Sequence, residues 1–108
     1  MLEALLESPV KETALLFIYA YGPSYAREIA QTFSLNLSSV QNQLLKLEAG
    51  GLLFSRLKGR VRLFDFNPRY AFKAEIAALL EKALAFVPED RRRFFRRRQR
   101  PRRTGKPF

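Results

Sequence analysis

Two amide side chains, Gln41 and Asn42, stand side by side in a short polar stretch that opens Leu37-Ser38-Ser39. Each amide carries a donor and an acceptor, the pair that matches N6 and N7 of adenine in the major groove of a duplex. The hydroxyls of Ser38 and Ser39 suit a base edge or a phosphate in the same setting. A second group, Arg56, Lys58, Arg60 and Arg62, puts four cations within seven positions, with no acidic residue before Asp65. That density fits phosphates or a minor groove. The plainer readings are a solvated helix face for the first group and charges that deter strand-edge aggregation for the second.

A third group lies near the C-terminus, where Arg91-Arg92-Arg93-Phe94-Phe95-Arg96-Arg97-Arg98 interrupts a run of cations with two aromatic rings. Of the net charge of +10, residues 89–108 supply +8, from 10 Lys+Arg against 2 Asp+Glu. Residues 1–88 supply only +2, from 10 against 8. A nearly neutral body with a strongly basic end points to a polyanionic partner reached by an arm. Phe94 and Phe95 suit either stacking on a base or packing on a dimer.

Other chemistries are excluded by what is missing. The chain has no cysteine and no histidine, which removes disulfides, thiol redox chemistry, imidazole acid-base work and soft-metal sites. Glu28, Glu48 and Asp65 are scattered, with no nucleophile or glycine-rich phosphate loop near them, so neither an enzyme nor a cofactor or metal site is expected. No apolar run approaches the roughly 18 residues of a membrane span. Glu3 and Glu7 stand where a secretory leader would be basic. The expected location is the cytoplasm, on the nucleoid if the cell is prokaryotic.

The elements that must carry these groups follow from caps and periodicity. A short helix with Leu2, Leu5 and Leu6 should stop before Ser8-Pro9, where a cap and an N1 proline start a second helix bearing Val10, Ala14, Phe17, Ile18 and Tyr21. Gly22-Pro23 ends it, and Ser24 is expected to cap a third helix with Ala26, Ile29, Ala30 and Phe33 inward. Asn36 should cap a fourth that buries Val40, Leu44 and Leu47 and turns Ser38, Gln41, Asn42 and Leu45 outward, with Lys46 at the flank.

Gly50-Gly51 closes that helix. Strands at 52–57 and 61–66 then flank Lys58-Gly59-Arg60, with Phe64 and Phe66 as the inward set. Asn67-Pro68 is expected to begin a last long helix with Phe72, Ile76, Leu79, Leu80, Ala83 and Val87 on one stripe. The fold class is therefore mainly α with a small β-hairpin, a winged helix-turn-helix over residues 1–87 followed by an arginine-rich tail over 88–108. The long stripe and the N-terminal leucines, namely Leu2, Leu5, Leu6, Phe72, Ile76, Leu79, Leu80 and Ala83, are expected to meet a second copy across a two-fold axis, the alternative being that the long helix folds back on its own domain.

The chain resembles the winged helix-turn-helix regulators of the ArsR and MarR kind over roughly residues 2–86. It is similar to the small domains found alone or beside minimal nucleotidyltransferases. The carrying segments are Tyr-Ala-Arg-Glu-Ile-Ala at 25–30, Leu-Asn-Leu-Ser-Ser-Val-Gln at 35–41, Leu-Lys-Leu-Glu-Ala-Gly-Gly-Leu-Leu at 45–53 and Lys-Gly-Arg-Val-Arg-Leu-Phe at 58–64. The resemblance implies a dimeric, double-stranded-DNA-binding transcriptional regulator. Its bases would be contacted by Leu37, Ser38, Ser39, Gln41 and Asn42, and its phosphates or minor groove by Lys46, Arg56, Lys58, Arg60 and Arg62.

Arg91, Arg92, Arg93, Arg96, Arg97 and Arg98 are expected to add nucleic-acid contacts from the tail. Asn42 and Leu45 stand where such regulators often carry Arg or Lys, and the family's metal ligands have no counterpart. An exposed Leu45 suits either a thymine methyl or a protein partner. The alternative function is thus a protein-interaction domain whose tail binds nucleic acid without sequence preference.

Overall fold

The computed structural model describes residues 1–95 of the chain. In order they form α1 (Glu3–Leu6), α2 (Pro9–Tyr21), β1 (Ser24–Tyr25), α3 (Ala26–Phe33), α4 (Leu37–Ala49), β2 (Leu53–Lys58), β3 (Val61–Phe66), α5 (Lys73–Ala85), α6 (Glu89–Arg92) and a 3-10 turn, Arg93–Phe95. The antiparallel sheet has the order β1-β3-β2. No helix of the described residues is long and apolar enough to cross a membrane.

Local chemistry starts the helices that matter. Ser8 Oγ accepts the Lys11 N–H at 3.1 Å while Pro9 takes the first turn of α2. Asn36 Oδ1 accepts the Ser39 N–H at 3.0 Å, which ties down one of the unpaired donors at the start of α4. Gly51, at φ 88°, and Gly59, at φ 67°, take the left-handed backbone needed after α4 and at the hairpin tip.

Two predicted starts are displaced. Ser24 does not cap α3: it is wholly buried in β1, and its hydroxyl donates to the Gly22 carbonyl at 2.7 Å. The helix begins one residue later, where Glu28 accepts the Tyr25 N–H at 3.3 Å. Asn67-Pro68 does not open α5 either. Asn67 Oδ1 accepts the Arg69 N–H and its Nδ2 donates to the Gly51 carbonyl, so the side chain shapes a turn after β3 and α5 begins only at Lys73.

One core holds the elements together. Leu15, Ile18, Ile29, Val40, Leu44, Leu53, Phe64 and Leu80 are all but inaccessible to solvent, while Phe66 is only half-buried. The α5 stripe is largely used within the chain. Leu80, Ala83 and Val87 are buried in this core, and Ile76, Leu2 and Leu6 pack against it. Leu80 and Ala83 are therefore corrected from contacts with a second copy to core residues, because α5 lies on α2.

The α2–α5 contact is fastened by the Tyr19 hydroxyl, which donates to Glu81 at 2.7 Å. That hydrogen bond holds the Tyr19 phenol above its ordinary pKa. Leu5, Phe72 and Phe86 remain well exposed.

The C-terminal boundary also moves. Phe95 is buried and Phe94 packs against the core, with both rings lying on Phe33 at centroid distances of 5.1 and 5.8 Å. Both rings are thus packed within the chain, and the packed unit extends past Val87 to Phe95. Arg96, Arg97 and Arg98 lie outside the described residues.

Candidate nucleic-acid interface

Helix α4 is anchored by Val40, Leu44 and Leu47, and its other face carries exposed Ser38, Ser39, Gln41, Asn42, Leu45 and Lys46. Two hollows flank that face. One is lined by Gln41, Asn42 and Leu45 together with Tyr25 and Arg27 of the β1–α3 junction and Arg60, Val61 and Arg62 of the wing. The other is lined by Ser39, Asn42, Gln43, Leu45, Lys46 and Ala49. Asn42 and Leu45 border both, so they form the crest of the helix. Leu37 packs partly against the core and forms a wall of the first hollow.

The hairpin does not present its four cations on one surface. The register pairs Leu57 with Arg62 and Ser55 with Phe64, and Arg56 with Leu63 and Lys58 with Val61. Since strand residues alternate between faces, Arg62 shares the core-side face with Phe64, while Arg56 and Lys58 lie on the opposite face. Arg60 is at the tip. Of these four cations, Arg60 and Arg62 border the hollow beside α4.

Arg62 is positioned from α4 itself. Glu48 Oε2 accepts both the Ser55 N–H, at 3.0 Å, and the Ser55 hydroxyl, at 2.9 Å. A hydroxyl has one proton, so with it committed to Glu48 the Ser55 oxygen is left to accept, and Arg62 Nη1 donates to it at 3.1 Å. The end of α4 thus sets the angle of the wing. Ser55→Ala is expected to cost about 1 kcal/mol of stability. It should also weaken duplex binding non-additively with Arg62→Ala, as read from a double-mutant cycle; additive losses would mean that Arg62 acts independently of Ser55.

Sequence reasoning missed Tyr25 and Arg27 as members of this surface. The two-residue strand β1 pairs Ser24 with Phe64 and Tyr25 with Leu63, which brings the first turn of α3 to the base of the wing. A strand that short leaves no periodic signal. Among the described residues, no group of three or more acidic side chains gathers as a metal would require.

No protein-family model matches the chain, and no curated protein matches it by sequence. Solved structures do. The chain is similar to the crystal structure of transcriptional regulator Tm0710 from Thermotoga maritima, with 19% identity and a TM-score of 0.56 over 82% of this chain and 70% of that one. It is similar to the YusO protein from Bacillus subtilis, with 21% identity and a TM-score of 0.55 over 77% of this chain and 64% of that one. It is also similar to a mutant of ZitR from Lactococcus lactis in apo form, with 21% identity and a TM-score of 0.54 over 79% and 73%. The arrangement of α2, α3, α4 and the β2–β3 hairpin is a winged helix-turn-helix.

Proposed function

We propose that the protein is a sequence-specific double-stranded-DNA-binding transcriptional regulator that acts as a homodimer, with α4 in the major groove and the wing on phosphates or the minor groove. The observation that carries the reading is the shared surface of α4 and the wing. Gln41 and Asn42, able to read base edges, lie beside Arg27, Arg60 and Arg62, able to hold phosphates. The likeness to a protein described as a transcriptional regulator supports it. Exposed Leu5, Phe72 and Phe86 support a second copy as partner, since large apolar side chains left outside the core gain by being covered. Arginines of the tail would add attraction without sequence preference.

A second reading has its own observation. Leu45, Leu57 and Val61 are each about half exposed or more around the same surface, which suits a protein partner. Selection from a pool of duplexes with a randomised centre separates the two. A consensus with two half-sites about one helical turn apart is expected. Enrichment of no sequence, with binding that vanishes uniformly as salt rises, would overturn the DNA-reading function in favour of the protein-interaction domain.

A further inference from the structure

The arginines at 91–93 are not equivalent, and the aromatic pair explains why. With Phe94 and Phe95 seated on Phe33, the short helix α6 is held against the end of α3. Arg92 folds back on the chain. Its Nε donates to the Val87 carbonyl at 3.1 Å and its Nη2 to the Ala85 carbonyl at 3.0 Å, which satisfies acceptors left unpaired at the end of α5.

Arg91 and Arg93 point elsewhere. Their guanidinium carbons lie 6.0 and 4.6 Å from the centroid of the Phe94 ring; all three arginines are exposed, and the difference lies in what their guanidinium groups meet. Arg93 Nη1 also donates to the Asp90 carbonyl at 2.7 Å. The two arginines line a hollow with Thr32, Phe33, Ser34 and Asp90. Neither is in an ion pair among the described residues, so the two cations outweigh the one carboxylate there.

That hollow lies at the turn between α3 and α4. Ser34 is three positions before Leu37, a separation of at most about 11 Å along the chain. Winged helices present the N-terminal end of the recognition helix to base edges, so a cationic hollow beside that end is within reach of the flanking backbone. A ring face under a guanidinium restrains it without occupying its N–H groups, so those that Arg93 does not donate to Asp90 remain for a phosphate.

We infer that Arg91 and Arg93 form a fixed phosphate clamp at the helix-turn-helix turn, contacting duplex backbone beside the start of α4, while Arg92 serves only to close α5. The inference rests on the reading of α4 as the helix that meets DNA. It differs from a loose basic tail in one measurable respect, because a loose tail makes the three arginines interchangeable.

The test uses the full chain, a random-sequence duplex of about 25 base pairs, and the slope of log affinity against log salt for three single variants, at about 0.9 per phosphate contact. Arg91→Gln and Arg93→Gln are each expected to make the slope shallower by about 0.9. Arg92→Gln should leave it unchanged and lower the melting temperature instead. Equal changes for all three variants, or no change for Arg91→Gln and Arg93→Gln, would overturn the clamp. A pool selection that yields no consensus while these slopes still separate would remove base reading but leave the clamp standing. A clear consensus with unchanged slopes would do the reverse.

Discussion

Leu44→Ala is expected to lower the unfolding free energy by about 2–5 kcal/mol, the cost of emptying a buried leucine site that cannot fully collapse. Leu44 is wholly buried on the side of α4 that faces α2, α3 and the start of β2. A domain of this size holds only about 5–15 kcal/mol in all, so the loss should appear as a fall in melting temperature on the order of 10 °C or more. The adjacent leucine is the internal control. Leu45 is 49% exposed on the crest between the two hollows, and Leu45→Ala should change stability by no more than about 0.5 kcal/mol. Duplex affinity should respond the other way at moderate temperature, with Leu45→Ala weakening binding in a protein that remains fully folded. Equal thermal costs for the two leucines would mean that α4 is rotated from the face assigned to it.

That contrast also marks how far residue types and spacing reach without coordinates. The caps at Ser8 and Asn36, the burial of Val40, Leu44 and Leu47, and the hairpin around Gly59 all depend on interactions within a few residues or on a clear period. Spacing alone therefore locates them. It shows that one stripe of α5 is buried but not against what, because periodicity identifies a face and not its partner. That Leu80 and Ala83 belong to the chain's own core is decided instead by the packing of α5 on α2.

The same limit explains the site. Gln41, Asn42, Arg60 and Arg62 are legible from residue type and position, whereas Arg27 joins them only through the pairing of β1 with β3. The separation of Arg62 from Arg56 and Lys58 needs the strand register, since a shift of one residue exchanges the two faces. Phe94 and Phe95 are out of place in a solvated tail by residue type alone, but their partner, Phe33, is far away in the sequence and close only in the fold.

Gln41→Ala and Asn42→Ala are expected to flatten the preference at individual base pairs of the selected duplex, by about 1–3 kcal/mol of discrimination for each bidentate hydrogen-bonded pair removed. The two should not act at the same position. Asn42 is on the crest of α4 and borders both hollows, whereas Gln41 borders only the one shared with Arg27, Arg60 and Arg62. An amide that bridges donor and acceptor on one base leaves that base pair unread when truncated, and a neighbouring base pair keeps its own partner. Arg60→Ala should behave differently, because a phosphate looks the same at every step of the duplex. It is expected to weaken selected and random sequences by the same factor and to reduce the salt slope by about 1. Competition binding of each variant against a set of single-base-pair changes measures all three effects together. Uniform weakening by Gln41→Ala and Asn42→Ala, with no base pair singled out, would show that the polar side of α4 holds the duplex without reading it.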